Sequence, residues 1–163
     1  MERLRRFEGP TIIGAPSREF EPRKHQLFLA GGISNCPDWQ KNLIELLPGL
    51  PNVNIFNPRR VEFPKDDPNA LKEQIEWEYD FLRNASSIAV WFSRGSLNPI
   101  VWYELGMWVN SRPKLPAFIG VDPAYERPQD VIIQTGLPRP EIEIVSSLED
   151  LATQIRTHVS KPN

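Results

Sequence analysis

Short apolar runs of strand length alternate along the chain with segments whose apolar residues recur at helical spacing, and this alternation constrains the fold more than any other feature. Strands are expected at Gln26–Ala30 (QLFLA), Val53–Phe56 (VNIF), Ser87–Phe92 (SIAVWF), Ala117–Val121 (AFIGV) and Ile142–Val145 (IEIV). The run Ser87–Phe92 is nearly continuous in apolar character, as a strand covered on both faces must be. Between these runs, Trp39–Leu47 has helical spacing and stops at Pro48-Gly49, and a longer helix spans about 69–84. A third helix opens at Asn98-Pro99, and a last one, Leu148–His158, follows Ser147, with Asp150 in a capping-box position. This order predicts an α/β fold: a doubly wound, mostly parallel five-stranded sheet with helices on both faces. Residues 1–24 read as an extension in which Thr11–Ile13 (TII) is a candidate edge strand, and 25–163 as one domain. In such folds ligands bind beyond the carboxyl ends of the strands, where the strand order reverses. The tips to watch are therefore Gly31–Ser34, Asn57–Arg60 and Ser93–Asn98.

The bulk properties narrow the partners. A net charge of −2 over 163 residues argues against a nucleic-acid polymer or an anionic membrane surface. No apolar run is long enough to span a bilayer, and MERLRRF has no apolar stretch behind it, so no signal peptide is expected. The single cysteine, Cys36, excludes an internal disulfide and fits a reducing, cytoplasmic setting. The two histidines, His25 and His158, lie far apart in sequence without ligand spacing, so neither a metal nor a cofactor is expected.

Two carboxylates stand out against this background. In IVWYELGMWV (100–109), Glu104 is the one charge in an otherwise apolar, aromatic or glycine-containing run. With Asn98 as N-cap and Pro99 as first helical residue, Glu104 lies too deep to serve the free amides of the first turn. The helix is apolar nearly all round, which places it in the core or at a subunit interface. In the preceding helix, Leu71, Ile75, Tyr79, Leu82 and Ala85 form an arc at ~100° per residue, with Glu78 near its middle. On that reading Glu78 points inward, and Glu73, Glu76 and Asp80 form a solvated face. Each inward acid has a plainer explanation: an interface ion pair for Glu104, a backbone hydrogen bond for Glu78. Two inward acids flanking one strand are also how glycosidic bonds are cleaved, one attacking the anomeric carbon and the other moving a proton.

The strand tip FLAGGIS (28–34), the acid of EYDFLRNA (78–85) and the strand–loop–helix AVWFSRGSLNPIVWYELG (89–106) resemble nucleoside 2-deoxyribosyltransferases and the related nucleotide N-glycosidases. The longer run QIEWEYDFLRNASSIAVWFSR is similar to a branch of that superfamily with a Trp-Glu pair at this point; the likeness covers roughly 26–120. The resemblance implies a flavodoxin-like fold and a small-molecule nucleoside or nucleotide as partner, in a homodimer or higher homo-oligomer. It places Glu104 at the family's nucleophile and Glu78 where the family has an aspartate that contacts the nucleobase. Gly31 and Gly32 fall in the loop that approaches the substrate. Ser93 stands where the transferases carry an aspartate, and Gly32 and Asn98 where the nucleotide hydrolases carry hydroxyls. Ser34, Arg59, Arg60 and Arg94 are the available replacement donors to a phosphate.

The expected site thus comprises Glu104 and Glu78 as catalytic residues, with Gly31, Gly32, Trp91, Ser93 and Asn98 binding substrate. Trp91 enters as a stacking residue near a strand tip; the other tryptophans read as packing. Asp38 reads as the cap of the Trp39 helix, and Arg59-Arg60 as either solvated charge or a phosphate contact. The expected activity is cleavage or transfer at an N-glycosidic bond through a glycosyl-Glu104 intermediate. A nucleoside 5′-monophosphate N-glycosidase is the alternative within that chemistry. A non-catalytic nucleotide-binding or sensing domain is the alternative outside it.

Overall fold

The computed structural model describes residues 8–161, so the MERLRRF segment of the extension and the last two residues lie outside it. Its elements run β1 (Thr11–Gly14), β2 (His25–Gly31), α1 (Trp39–Glu45), β3 (Val53–Asn57), α2 (Ala70–Asn84) and β4 (Ser87–Phe92). They continue with α3 (Pro99–Ser111), β5 (Ala117–Val121), α4 (Pro128–Gly136), β6 (Ile144–Val145) and α5 (Leu148–Val159). The strands form one six-stranded sheet in the order β1-β3-β2-β4-β5-β6, and every pairing is parallel. From β3 onward this is the flavodoxin-like order, with β1 added outside β3. The expected five strands are thus six, because Thr11–Gly14 pairs in register with Asn54–Asn57.

Strand alternation divides the core into two layers. Phe28, Ala30, Phe56, Ile88, Val90, Phe92 and Ile119 face α2, α3 and α4. Leu27, Leu29, Ile55, Ala89, Trp91 and Phe118 face α1 and α5. The sheet is therefore covered on both sides, which is why β4 is buried at all six positions.

The caps follow local chemistry. Asp38 accepts the Lys41 amide at the start of α1, and Ser147 accepts the Asp150 amide at the start of α5. Pro128–Gly136 is helical where no element is expected. Its apolar residues Val131, Ile132 and Ile133 are consecutive rather than helically spaced, and of the three only Val131 is buried.

The second helix packs differently from its sequence pattern. Leu71, Ile75 and Tyr79 are all more than half exposed, and the buried stripe is Ala70, Gln74, Trp77, Phe81 and Leu82. The larger aromatics decide the matter, since they carry the most area to bury. Trp77 stacks on Phe81 at 4.4 Å, Phe81 packs edge-on to Phe56, and the Trp77 Nε1 donates to the Ser17 carbonyl of the segment crossing over it. No helix among the described residues is long and apolar enough to cross a membrane.

Candidate functional site

The strand order reverses between β2 and β4, and a pocket of about 330 Å³ opens beyond their carboxyl ends. Its walls are the β2–α1 loop (Gly31–Ser34), Pro58 after β3, Glu78 from α2, and Ser96, Asn98–Val101 and Glu104 from the start of α3. A larger cleft, about 540 Å³, lies on the other side of α3 against α4 and contains neither acid.

Glu104 is the most perturbed group in the site. It is 8% exposed, and its pKa is pushed up to about 8, first by burial and then by the negative charge of Glu78. Among the described residues no donor offsets those two effects. Glu78 is half-buried, since it sits at the border between the packed and the open faces of α2. Its pKa is also raised by burial, with a hydrogen bond from Gln74 and the Arg60 guanidinium pulling the other way. Burial, aided by the charge of Glu78, thus leaves Glu104 holding its proton at neutral pH.

The glycines of the turn are demanded by packing. A Cβ on Gly31 would sit 2.3 Å from the Trp39 indole. One on Gly32 would sit 2.2 Å from Asn98 Oδ1 and 2.3 Å from Cys36 Sγ. Both glycines line the pocket, yet the space their side chains would fill is already taken by protein. Asn98 also has a structural task. Its backbone is left-handed (φ 52°), and its Nδ2 donates to the carbonyls of Ser93 and Ser96, bracing the loop before α3 instead of capping the helix.

Two expected residues do not reach the pocket. Trp91 is 5% exposed and packs in the layer with α1 and α5, beside Gly120 and Leu151. The cause is parity: Ile88, Val90 and Phe92 take the face that carries α2 and α3, so Trp91 takes the other. Ser93 is 1% exposed, outside the pocket lining, and its Oγ has no hydrogen-bond partner among the described residues. Tyr103, next to Glu104 in sequence, points away from the core and is 70% exposed.

Arg59 and Arg60 are neither solvated nor free. The Arg59 guanidinium donates to the carbonyls of Ile33, Cys36 and Pro37 and to Gln40 Oε1, so it ties the pocket-lining β2–α1 loop to the tip of β3. Arg60 donates to Gln74 Oε1 and Glu73 Oε1. Pro58 and Ser96 fall in the strand tips expected to meet a ligand, whereas sequence reasoning missed Ile100 and Val101 in the lining and Gln74 behind Glu78. For Gln74 a signal existed, because Gln74 and Glu78 stand at i, i+4 and meet on one helix face.

The remote histidines are brought together at the opposite end of the sheet. The rings of His25 and His158 lie 5.8 Å apart, and His25 Nε2 is 2.7 Å from Ser87 Oγ. His25 has its pKa lowered to about 4, by burial first and then by His158. Among the described residues no group of three or more metal-ligating side chains occurs.

A family model described as nucleoside 2-deoxyribosyltransferase like matches residues 24–125, more than half of the chain, and that span contains both acids and the glycine turn. No curated protein matches the chain.

Proposed function

Because the chain belongs to the nucleoside 2-deoxyribosyltransferase-like family, we propose that it cleaves or transfers at the N-glycosidic bond of a (deoxy)nucleoside, with Glu104 as nucleophile and Glu78 serving the nucleobase. The observation that carries this reading is the convergence of two interacting acids on one pocket at the strand-order reversal. A Glu104 carboxylate oxygen attacks C1′, the C1′–N bond breaks, and its electron pair leaves with the base nitrogen. The base is neutralised by a proton that Glu78 delivers, and the sugar remains as an ester of Glu104. Attack by a second base regenerates a nucleoside with retained configuration, and attack by water releases the free sugar.

Proton placement is the central energetic problem. Glu104 must be ionised to attack, yet burial makes it the tighter proton holder of the two acids. Positive charge developing on the sugar stabilises the Glu104 carboxylate at close range, and a base about to depart with negative charge favours a protonated Glu78. Substrate thus drives the proton from one acid toward the other.

A nucleoside 5′-monophosphate is the second reading, favoured by the start of α3. That helix opens at the pocket with no acid in its first turn and no side-chain cap, while Ile100 and Val101 line the cavity beside Ser96 and Ser34. The family reading also includes self-association. The exposed Leu71, Ile75 and Tyr79 of α2 and Ile100 and Tyr103 of α3 form an apolar rim on the two helices that carry the acids. A second copy of the chain is the proposed cover.

The test is incubation with purine and pyrimidine 2′-deoxynucleosides and their 5′-monophosphates, with and without a second free base. Base release or exchange that vanishes in Glu104→Ala supports the reading. Neither release nor exchange with any of them overturns it.

A further inference from the structure

Glu78 is held by a line of side chains that runs from solvent into the pocket. Glu73, about half exposed, accepts from Arg60 at 2.8 Å; Arg60 Nε donates to Gln74 Oε1 at 2.7 Å; Gln74 Nε2 donates to Glu78 Oε1 at 2.7 Å and to the Pro58 carbonyl at 2.8 Å. Gln74 and the Arg60 side chain are each 8% exposed, so the middle of the line is dry.

The chemistry of the four groups permits one orientation of the Gln74 amide. Arginine can only donate, so the atom facing Arg60 Nε must be the amide oxygen. A carbonyl and a carboxylate can only accept, so the atom between Pro58 and Glu78 must be the amide nitrogen, with one hydrogen for each. Turning the amide over would set donor against donor at Arg60 and place its oxygen against two acceptors, costing all three bonds at once.

We propose that Gln74, oriented by Arg60 and the Pro58 carbonyl, is the positioning residue that fixes Glu78 in the pocket by presenting a permanent donor to one of its two oxygens. Glu78 then meets the substrate with its other oxygen alone, in a single orientation. The groups that act on the Glu78 charge are Glu104 from α3, Arg60 from the segment after β3, and Gln74 on its own helix. Gln74 acts in the direction of ionisation, which keeps Glu78, and not Glu104, as the acid that loses its proton first. This division of labour rests on the N-glycosidic reading above, whereas the hydrogen-bond line itself does not.

The experiment follows the carboxyl carbons of 13C-glutamate-labelled protein through a pH titration in the wild type, Gln74→Met and Arg60→Met, alongside the pH dependence of kcat/KM for 2′-deoxynucleoside cleavage. In Gln74→Met the Glu78 midpoint rises by about one pH unit, and the acid limb of kcat/KM moves up with it while the alkaline limb stays. Arg60→Met shifts the midpoint in the same direction and less, because Glu78 loses the guanidinium charge and its Gln74 donor remains but is no longer held. Gln74→Asn, whose shorter amide cannot bridge Arg60 and Glu78, does not restore the wild-type midpoint. A Glu78 midpoint unmoved in folded Gln74→Met and Arg60→Met protein overturns the proposal, as does a kcat/KM loss equal at every pH. If no substrate is turned over, the N-glycosidic reading fails while the titration still decides the role of Gln74.

Discussion

Glu78 and Glu104 come from consecutive helices, α2 and α3, joined through β4, and they face one pocket in which the charge of the first tightens the hold of the second on its proton. That relationship sets what the site can do and what it costs the fold.

The cost is visible in stability. Glu104 has a folded pKa of about 8 against an ordinary 4.5, so the folded state binds its proton more tightly than the unfolded state does. Its contribution is fully favourable below about pH 4.5 and is lost as pH rises to about 8. Glu104→Gln is therefore expected to match the wild type near pH 4.5 and to exceed it by a few kcal/mol, on the order of 3, at pH 8 and above. Urea denaturation at the two pH values checks this, and a constant difference would count against a buried, protonated Glu104.

Coupling between the acids gives a second expectation. Replacing Glu78 by Gln removes the negative neighbour, so the Glu104 pKa falls, though burial keeps it above the ordinary range. NMR titration of Glu104 in that variant reads the effect directly. An unchanged midpoint would mean that the two carboxyls do not sense each other.

Arg59 holds the pocket loop by four hydrogen bonds to groups between Ile33 and Gln40. Arg59→Ala is expected to lower stability by about 1–3 kcal/mol, through unpaired carbonyls, and to raise KM for the nucleoside more than it lowers kcat. Arg59→Lys restores little, since a point charge cannot replace the planar fork. A variant with an intact KM would show the loop to be self-supporting.

The histidine pair predicts acid sensitivity remote from the site. His25 is neutral when folded, with a pKa lowered to about 4 from 6.5, so its contribution is present above pH 6.5 and is lost as pH falls toward 4. His25→Gln is expected to lose less stability than the wild type between pH 7 and pH 4. Thermal melts across that range measure it, and parallel curves for the two proteins would refute it.

The apolar rim is tested by charge. Tyr103→Glu and Ile75→Glu place carboxylates at positions that are 70% and 55% exposed, so the monomer fold tolerates them. Sedimentation is expected to show the wild type self-associated and both variants dissociated. A monomeric wild type at micromolar concentration would remove the rim as an interface.

The carboxyl-end location of the candidate site was legible in the sequence. Gly31, Gly32, Asn98, Glu78 and Glu104 all line the pocket, because the parallel βα order fixes which loops meet there. The roles of the smaller residues were less legible. Gly32 and Asn98 serve each other, with the absent Cβ of one leaving room for the amide of the other. Such a contact joins loops that follow different strands, and no local pattern announces it.

By itself, the sequence determined the periodicities: the strands and most helices, the Asp38 and Ser147 caps, and the burial of Glu104 in a helix with few polar neighbours. These depend on residues a few positions apart, where backbone geometry alone relates one side chain to the next. Only the tertiary structure decided which face of each element is used. The segment carrying Ser17 and Phe20 closes over Trp77 and Phe81 and leaves Leu71, Ile75 and Tyr79 open, so Glu78 reaches the pocket from the edge of the packed face and not from the middle of an apolar one. The parity of β4 turned Trp91 toward α1 and α5, and the meeting of Pro58, Arg60 and Gln74 placed a donor on Glu78. Two faces of α2 offered apolar area, and long-range packing selected the one with more to bury.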